Sequence, residues 1–204
     1  MQNSTIPLQI AIFASGAGSN AEKIMDHFRD HPRIRVGLVV CNKPQAGVIR
    51  IAARERIPVL LIEPDRFLRG DGYLPELALH RIGFIVLAGF LWKIPETLIG
   101  AYGGRIINIH PALLPKFGGK GMYGNRVHEA VLAAGEKQSG ITIHNVDALY
   151  DNGAILFQAR CEVVPGDTPE SLASRIHQLE HRHYPRVIEE VIDSQNIVKS
   201  QAGQ

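Results

Sequence analysis

The stretch QIAIFASGAGSNAEKIMDHF, residues 9–28, decides the fold. Its first six residues form a nearly unbroken aliphatic run, the pattern of a strand covered on both faces. The small residues Ser15, Gly16, Ala17 and Gly18 follow, and then an amphipathic segment around residues 21–28. Strand, tight glycine turn and helix together open a wound α/β unit. Such a turn presents unpaired backbone N–H groups and the positive end of a helix to an anion. Gly16-x-Gly18-x-x-Ala21 also satisfies a loose dinucleotide fingerprint. A nicotinamide site further requires Asp or Glu at the end of the second strand, where this chain has Cys41-Asn42-Lys43. The turn is therefore read as a seat for a single phosphate. The competing reading is a tight turn in which Ser19 or Asn20 merely caps the helix.

The same alternation continues outward. Residues 35–40, 59–62, 85–88 and 105–109 are β-branched or aliphatic runs, and helix-period segments fall around 48–56, 73–80 and 95–102. Strand and helix repeated in this way imply right-handed crossovers and a wound, mostly parallel sheet of Rossmann-like type. After that the pattern changes. Residues 141–146 and 154–163 are longer alternating runs joined by 147–153, which predicts an antiparallel, hairpin-like extension in the C-terminal half. Thr168-Pro169-Glu170 is a helix start, with Thr as N-cap and Pro in the first turn, opening a closing helix to about residue 191. Residues 194–204 read as a frayed tail. The expectation is an α/β chain forming one domain over residues 1–204, with its core at about 9–192 and flexible termini.

Composition narrows the function classes. The 204 residues are 45% hydrophobic, enough for a full core and unlike a disordered chain. Two cysteines, Cys41 and Cys161, are too few for a disulfide framework or a zinc knuckle, and no signal peptide or apolar run of spanning length stands out. A cytoplasmic location is expected. A net charge of +2 without a block of like charge argues against nucleic acid or a membrane surface as partner, and leaves room for a small anionic ligand.

Chemistry concentrates in RIINIHPALLPKF, residues 105–117. Asn108 and His110 lie two apart on a strand and so face the same way, while Ile107 and Ile109 pack oppositely. In open α/β sheets, ligands bind outside the carboxyl ends of the strands, where this pair falls. An amide donor beside an imidazole can stabilise a developing oxyanion, and the imidazole can also carry a proton. The plainer reading is a strand terminus with turn chemistry. The glycine-rich residues that follow, out to about Asn125, suggest a flap over residues 117–125. Asp151 is the candidate carboxylate beside His110, where it would raise the imidazole pKa, and Asp147 is its competitor. Asp151-Asn152-Gly153 is also an ordinary turn sequence. His177-x-x-Glu180-His181 matches an inverted zinc-peptidase motif, a rival from another class; the ordinary reading, which short helical His pairs favour, is a charged, solvent-facing helix surface or a single residue such as Glu180 pointing into a neighbouring site.

Several blocks, in order, resemble the phosphoribosylglycinamide formyltransferase family, within the wider group that uses 10-formyltetrahydrofolate. They are Ser15-Gly16-x-Gly18-Ser19-Asn20, Leu87-Ala88-Gly89-Phe90, Asn108-Ile109-His110-Pro111-x-Leu113-Leu114-Pro115, Asp151-x-Gly153, Gly166-Asp167-Thr168 and Glu180-His181-x-x-Tyr184-Pro185. The resemblance spans about residues 10–192. It implies formyl transfer from 10-formyltetrahydrofolate, a cosubstrate, to the amine of glycinamide ribonucleotide in purine biosynthesis, without a metal. The partners it implies are small molecules, for a monomer or homodimer with no tRNA-binding or regulatory module. Gly18, Ser19 and Asn20 would bind the substrate phosphate and Glu180 the glycinamide end. Leu91, Trp92, Lys93 and Ile94 would edge the pterin pocket, with Asn108 and Arg69 also touching folate. Asn108, His110 and Asp151 would form the catalytic set, with protonated His110 facing the oxyanion. A related formyltransferase or deformylase with another acceptor keeps the same site. Where the family carries Met-Arg after Ala-Gly-Phe, this chain has Leu91-Trp92, and its segment before the fourth strand is shortened.

Overall fold

The computed structural model describes residues 6–195. Strand β1 (Leu8–Ala14) alternates as expected: Ile10, Ile12 and Ala14 join one apolar cluster, and Ala11 and Phe13 join another on the opposite face. Helix α1 (Ser19–Phe28) buries Ala21, Ile24, Met25 and Phe28, the spacing of one helical face. The wound unit continues through β2 (Ile34–Cys41), α2 (Gly47–Arg54), β3 (Val59–Leu61), α3 (Pro64–Arg69), α4 (Leu74–Leu79), β4 (Ile82–Leu87), α5 (Glu96–Ala101) and β5 (Ile106–His110). Then come α6 (Asn125–Ala133), β6 (Gln138–Asn145), β7 (Ile155–Glu162) and α7 (Pro169–Ser194).

The sheet runs β3-β2-β1-β4-β5-β6-β7. The first five strands are parallel, and β6 and β7 add antiparallel, as the alternating runs predict. Strand order reverses beside β1, between β2 and β4, which opens a crevice at the carboxyl ends of β1 and β4. Helix α7 closes one face. Thr168 caps it in a capping box with Ser171, and Leu172, Ile176, Val187, Ile188 and Ile192 line its buried stripe. From that stripe the Tyr184 hydroxyl donates to the Leu87 carbonyl at 2.8 Å, tying the helix to the end of β4.

Three expectations need correction. α7 continues to Ser194, beyond the expected 191, so the tail begins later; residues 196–204, like 1–5, lie outside the described residues. α3 is a helix that the sequence pattern did not separate from its loop. So is α6, which begins where the expected flap ends; four glycines between residues 118 and 124 mask a start whose buried residues are only Val127, His128 and Val131. Among the described residues no helix is long and apolar enough to cross a membrane.

Candidate active site

The ends of β4 and β5, the start of α1, residues 117–124 and the β6–β7 connection enclose a cavity of about 710 Å³. Its size falls in the range of small-molecule sites. β5 delivers Asn108 and His110 to one face, with Ile107 and Ile109 in the core on the other. β6 repeats the device. In Ile141-Thr142-Ile143-His144 the isoleucines enter the same core, and antiparallel register sets His144 opposite Asn108 and Thr142 opposite His110. His144 is a site residue that the sequence reading missed. Its signal was the polar-every-second-residue pattern on an otherwise buried strand, the same one that pointed to Asn108 and His110.

The four side chains divide the work. The Thr142 hydroxyl donates to the Ala112 carbonyl (2.7 Å) and accepts from the Leu114 backbone N–H (3.0 Å) and the Gln158 amide (2.9 Å). Its bonding capacity is thereby filled, and the turn after His110 is pinned. His144 Nδ1 donates to the Asn145 carbonyl at 2.8 Å, so its Nε2 lone pair accepts from Asn108 Nδ2 at 3.2 Å. The other N–H of Asn108 reaches Asp151 Oδ1 only at 3.5 Å, long enough to be given up to a ligand oxygen.

His110 Nε2 donates to the Phe117 carbonyl at 2.7 Å, which leaves Nδ1 as the open ring position. Nδ1 lies 3.5 Å from Asp151 Oδ2. That oxygen also accepts the Gly119 backbone N–H at 2.9 Å, so the acid is fastened to the glycine-rich segment. Asp147, the competitor, is spent within its own turn on Leu149 and Asn152.

Burial and neighbouring groups act on both His110 and Asp151. Burial pushes the His110 imidazole below its ordinary value; the Asp151 carboxylate and the Phe117 carbonyl pull the other way and His144 adds to the lowering. Burial wins because the ring is 3% exposed while its carboxylate stands at 3.5 Å rather than in a tight ion pair. The lowering favours the neutral ring at rest, while Asp151 acts in the direction expected of it, toward the charged form. For Asp151 burial pushes up, but the neighbouring His144 and His110 imidazoles and the Gly119 N–H outweigh it, and the carboxyl sits below its usual range.

The other end of the cavity is the start of α1. Gly18 has a left-handed φ of 88°, and a Cβ there would stand 2.8 Å from Val48 Cα, so the position demands glycine twice over. No side chain caps this helix, which leaves its first N–H groups facing the cavity and tells against Ser19 or Asn20 serving only as a cap. Gly18, Ser19 and Asn20 all line the cavity. Asn20 Nδ2 donates to Glu180 Oε2 at 2.8 Å. Glu180 is 5% exposed, and burial raises its carboxyl, opposed by the Asn20 bond and the His177 charge. The contact with Asn20 brings Glu180 to the cavity beside the start of α1.

Leu91, Trp92, Lys93 and Ile94 line the cavity on the side of β4. The Leu91 N–H is already taken by Ser15 Oγ at 3.0 Å, and the Trp92 ring leans on Phe67 and Phe90. Arg69 is not brought to the cavity. It ends α3 on the surface, 83% exposed and paired with Asp65, because the short α3 turns it outward. His177 and His181 stack one turn apart with Glu180 directed to Asn20, and among the described residues no three metal-ligating side chains converge.

The profile of the formyl transferase family matches residues 8–188. A chloroplastic phosphoribosylglycinamide formyltransferase of Arabidopsis thaliana is 44% identical over 186 residues, covering 88% of this chain and 64% of the relative. The chain thus spans just under two thirds of that relative's length. The Bacillus subtilis phosphoribosylglycinamide formyltransferase is 40% identical over 193 residues, covering 92% of this chain and 96% of the relative. The crystal structure of the Bacillus halodurans phosphoribosylglycinamide formyltransferase superposes with a TM-score of 0.82 at 36% identity, covering 90% of this chain and 95% of that one.

Proposed function

The chain belongs to the formyl transferase family, and on that premise we propose that it transfers the formyl group of 10-formyltetrahydrofolate to the amine of glycinamide ribonucleotide, a step of purine biosynthesis. One observation carries this reading: a single cavity holds an uncapped helix start suited to a phosphate and, at its other end, Asn108, His110 and Asp151 around one point. The cavity edge at residues 91–94 suits the flat pterin, and the cosubstrate supplies the formyl carbon. On the same reading the protein works in the cytoplasm on small molecules, as one domain and as a monomer or homodimer, with no metal.

The chain's residues then have distinct tasks. Gly18, Ser19 and Asn20 hold the phosphate through backbone N–H groups and the helix dipole. Glu180, which lines the same cavity, accepts from the glycinamide end of the nucleotide. Asn108 donates its loosely held N–H to the formyl oxygen as negative charge builds there. His110, neutral at rest, takes the proton of the attacking amine on Nδ1 and returns it to the departing folate nitrogen. During that interval the ring is cationic between the Phe117 carbonyl and Asp151, and Asp151 stabilises it more than it stabilises the neutral ring.

The test is direct. Purified protein is mixed with 10-formyltetrahydrofolate and glycinamide ribonucleotide, and release of tetrahydrofolate is followed by absorbance, with each component omitted in turn. Release should require the nucleotide and yield formylglycinamide ribonucleotide. Release that proceeds equally without it, or with another amine in its place, defeats the assignment.

A further inference from the structure

Cross-strand register lays a polar row over the last three strands of the sheet. Thr142 on β6 stands opposite His110 on β5, and Gln158 on β7 stands opposite Thr142, so the three side chains are neighbours on one face. Neither Thr142 nor Gln158 lines the cavity. Gln158 Nε2 donates to the Leu114 carbonyl at 3.1 Å and to the Thr142 hydroxyl at 2.9 Å. The amide fits only this way round. The Leu114 carbonyl only accepts, the Thr142 hydroxyl has its one proton on the Ala112 carbonyl, and Nε2 carries the two N–H groups that both partners require. The turn held by these bonds closes on the catalytic ring. It leaves β5 at His110, passes Ala112 and Leu114, and returns at Phe117, whose carbonyl accepts from His110 Nε2 at 2.7 Å. With the proton fixed on Nε2, the lone pair lies on Nδ1, toward Asp151.

We infer that Gln158 is a positioning residue for His110: it tethers the turn of residues 111–117 so that the Phe117 carbonyl keeps the imidazole proton on Nε2 and the base at Nδ1. The inference rests on the formyl transfer proposed above only for the reaction in which that base is used. Phe117 needs such a tether. Its φ is 57°, a left-handed conformation that a bulky residue adopts only where its surroundings impose it, so local preference does not fix where its carbonyl points. The surroundings include Leu114. A Cβ added to Gly118 would stand 2.5 Å from Leu114 Cδ2, so the backbone just after Phe117 is packed against the residue whose carbonyl Gln158 holds. Without the amide, Leu114 keeps its N–H bond to Thr142 and loses the donor on its carbonyl. The turn is then held on one side only, and a shift of about 1 Å at a reacting group costs up to about a hundredfold in rate.

The test separates position from packing. Gln158→Met keeps the side-chain length without the donors, and Gln158→Glu keeps the shape with oxygens in their place, which serves should the methionine disturb folding. In protein labelled with 15N-histidine, nitrogen shifts report which ring nitrogen carries the proton, and His110→Ala assigns the signal. Wild-type His110 should show the Nε2–H ring, and either Gln158 variant should move both nitrogens toward the average of the two tautomers. In steady-state kinetics Gln158→Met should lower kcat about tenfold and leave both substrate KM values within about twofold, since no cavity contact is lost. Thr142→Val acts on the same turn, so the double variant should lose less than the product of the two single losses. A folded Gln158 variant with an unchanged His110 tautomer, or with full kcat and only a lowered melting temperature, overturns the inference. So does a loss confined to KM, or a double variant whose losses multiply. The tautomer is read without substrate. A wild-type protein that fails to formylate glycinamide ribonucleotide refutes the function above, whereas an unmoved tautomer refutes the tether whatever the acceptor.

Discussion

Asp151 and Glu180 are both carboxyl groups withdrawn from water, at opposite ends of one cavity, and they are driven in opposite directions. Asp151, its side chain 12% exposed, meets two imidazoles and a backbone N–H and is held below the usual carboxylate range. Glu180, 5% exposed, meets one neutral amide, and burial holds it above that range. Burial costs a lone carboxylate its charge, and only donors or cations restore it. The difference suits the two ends to different tasks. A fixed negative charge steadies a transient imidazolium, while a carboxyl with little charge beside a phosphate seat avoids repelling the phosphate.

The strongest way to break this contrast is to remove the charge of Asp151 and keep its shape. Asp151→Asn should lower kcat by about a hundredfold or more, because the imidazolium formed during proton transfer loses the carboxylate 3.5 Å from its Nδ1. His110→Ala should be at least as damaging. Circular dichroism and thermal melting should find the fold intact in both, and full activity in either variant would remove the residue from the mechanism.

A pH profile sharpens the same point. His110 must be neutral to accept a proton, so the acid limb of kcat should fall below the imidazole's ordinary value of 6.5. Asp151 is one of the groups pulling His110 upward. In Asp151→Asn the residual activity should therefore show an acid limb at still lower pH. A limb that moves up instead would mean that some other group titrates.

At the opposite end, Glu180→Gln should act on binding more than on chemistry, raising the acceptor KM about tenfold with a smaller fall in kcat. Its effect on stability carries a sign. The folded protein keeps the Glu180 proton to higher pH than the unfolded chain, so the native state loses stability as pH rises from the ordinary carboxyl value of 4.5 through the raised folded value. Glutamine does not titrate. The melting temperature of Glu180→Gln relative to wild type should climb over that interval, whereas Asp151 contributes stability above the ordinary carboxyl value and loses it as pH falls through its lowered one. A flat difference between the two proteins would place Glu180 in water.

How legible each end was in the sequence follows from how local its signal is. Asn108 and His110 could be read because two residues on one strand share a face by geometry alone. The same rule would have found His144, had the alternation on β6 been taken as more than a strand signature. The pairing of His110 with Asp151, 41 positions later, followed from chemistry and could only be one of two choices, since Asp147 has the same spacing logic. α6 was out of reach because its start is hidden behind glycines. The lowering of the His110 imidazole was out of reach for another reason: it depends on summed burial from several elements, which no short motif encodes.

Arg69 tests the least effect and bounds the comparison from outside. The family resemblance brings this arginine toward the folate, yet its guanidinium lies on the surface against Asp65 and away from the cavity. An exposed pair of this kind contributes little to stability because water screens both charges. Arg69→Ala should leave the KM for 10-formyltetrahydrofolate within about twofold of wild type and shift the melting temperature by no more than about 1 °C. A larger rise in that KM, with the acceptor KM unchanged, would mean that α3 swings inward when folate binds. Trp92, whose ring leans at a tilt on Phe67 of that helix, would then be the contact that carries the movement.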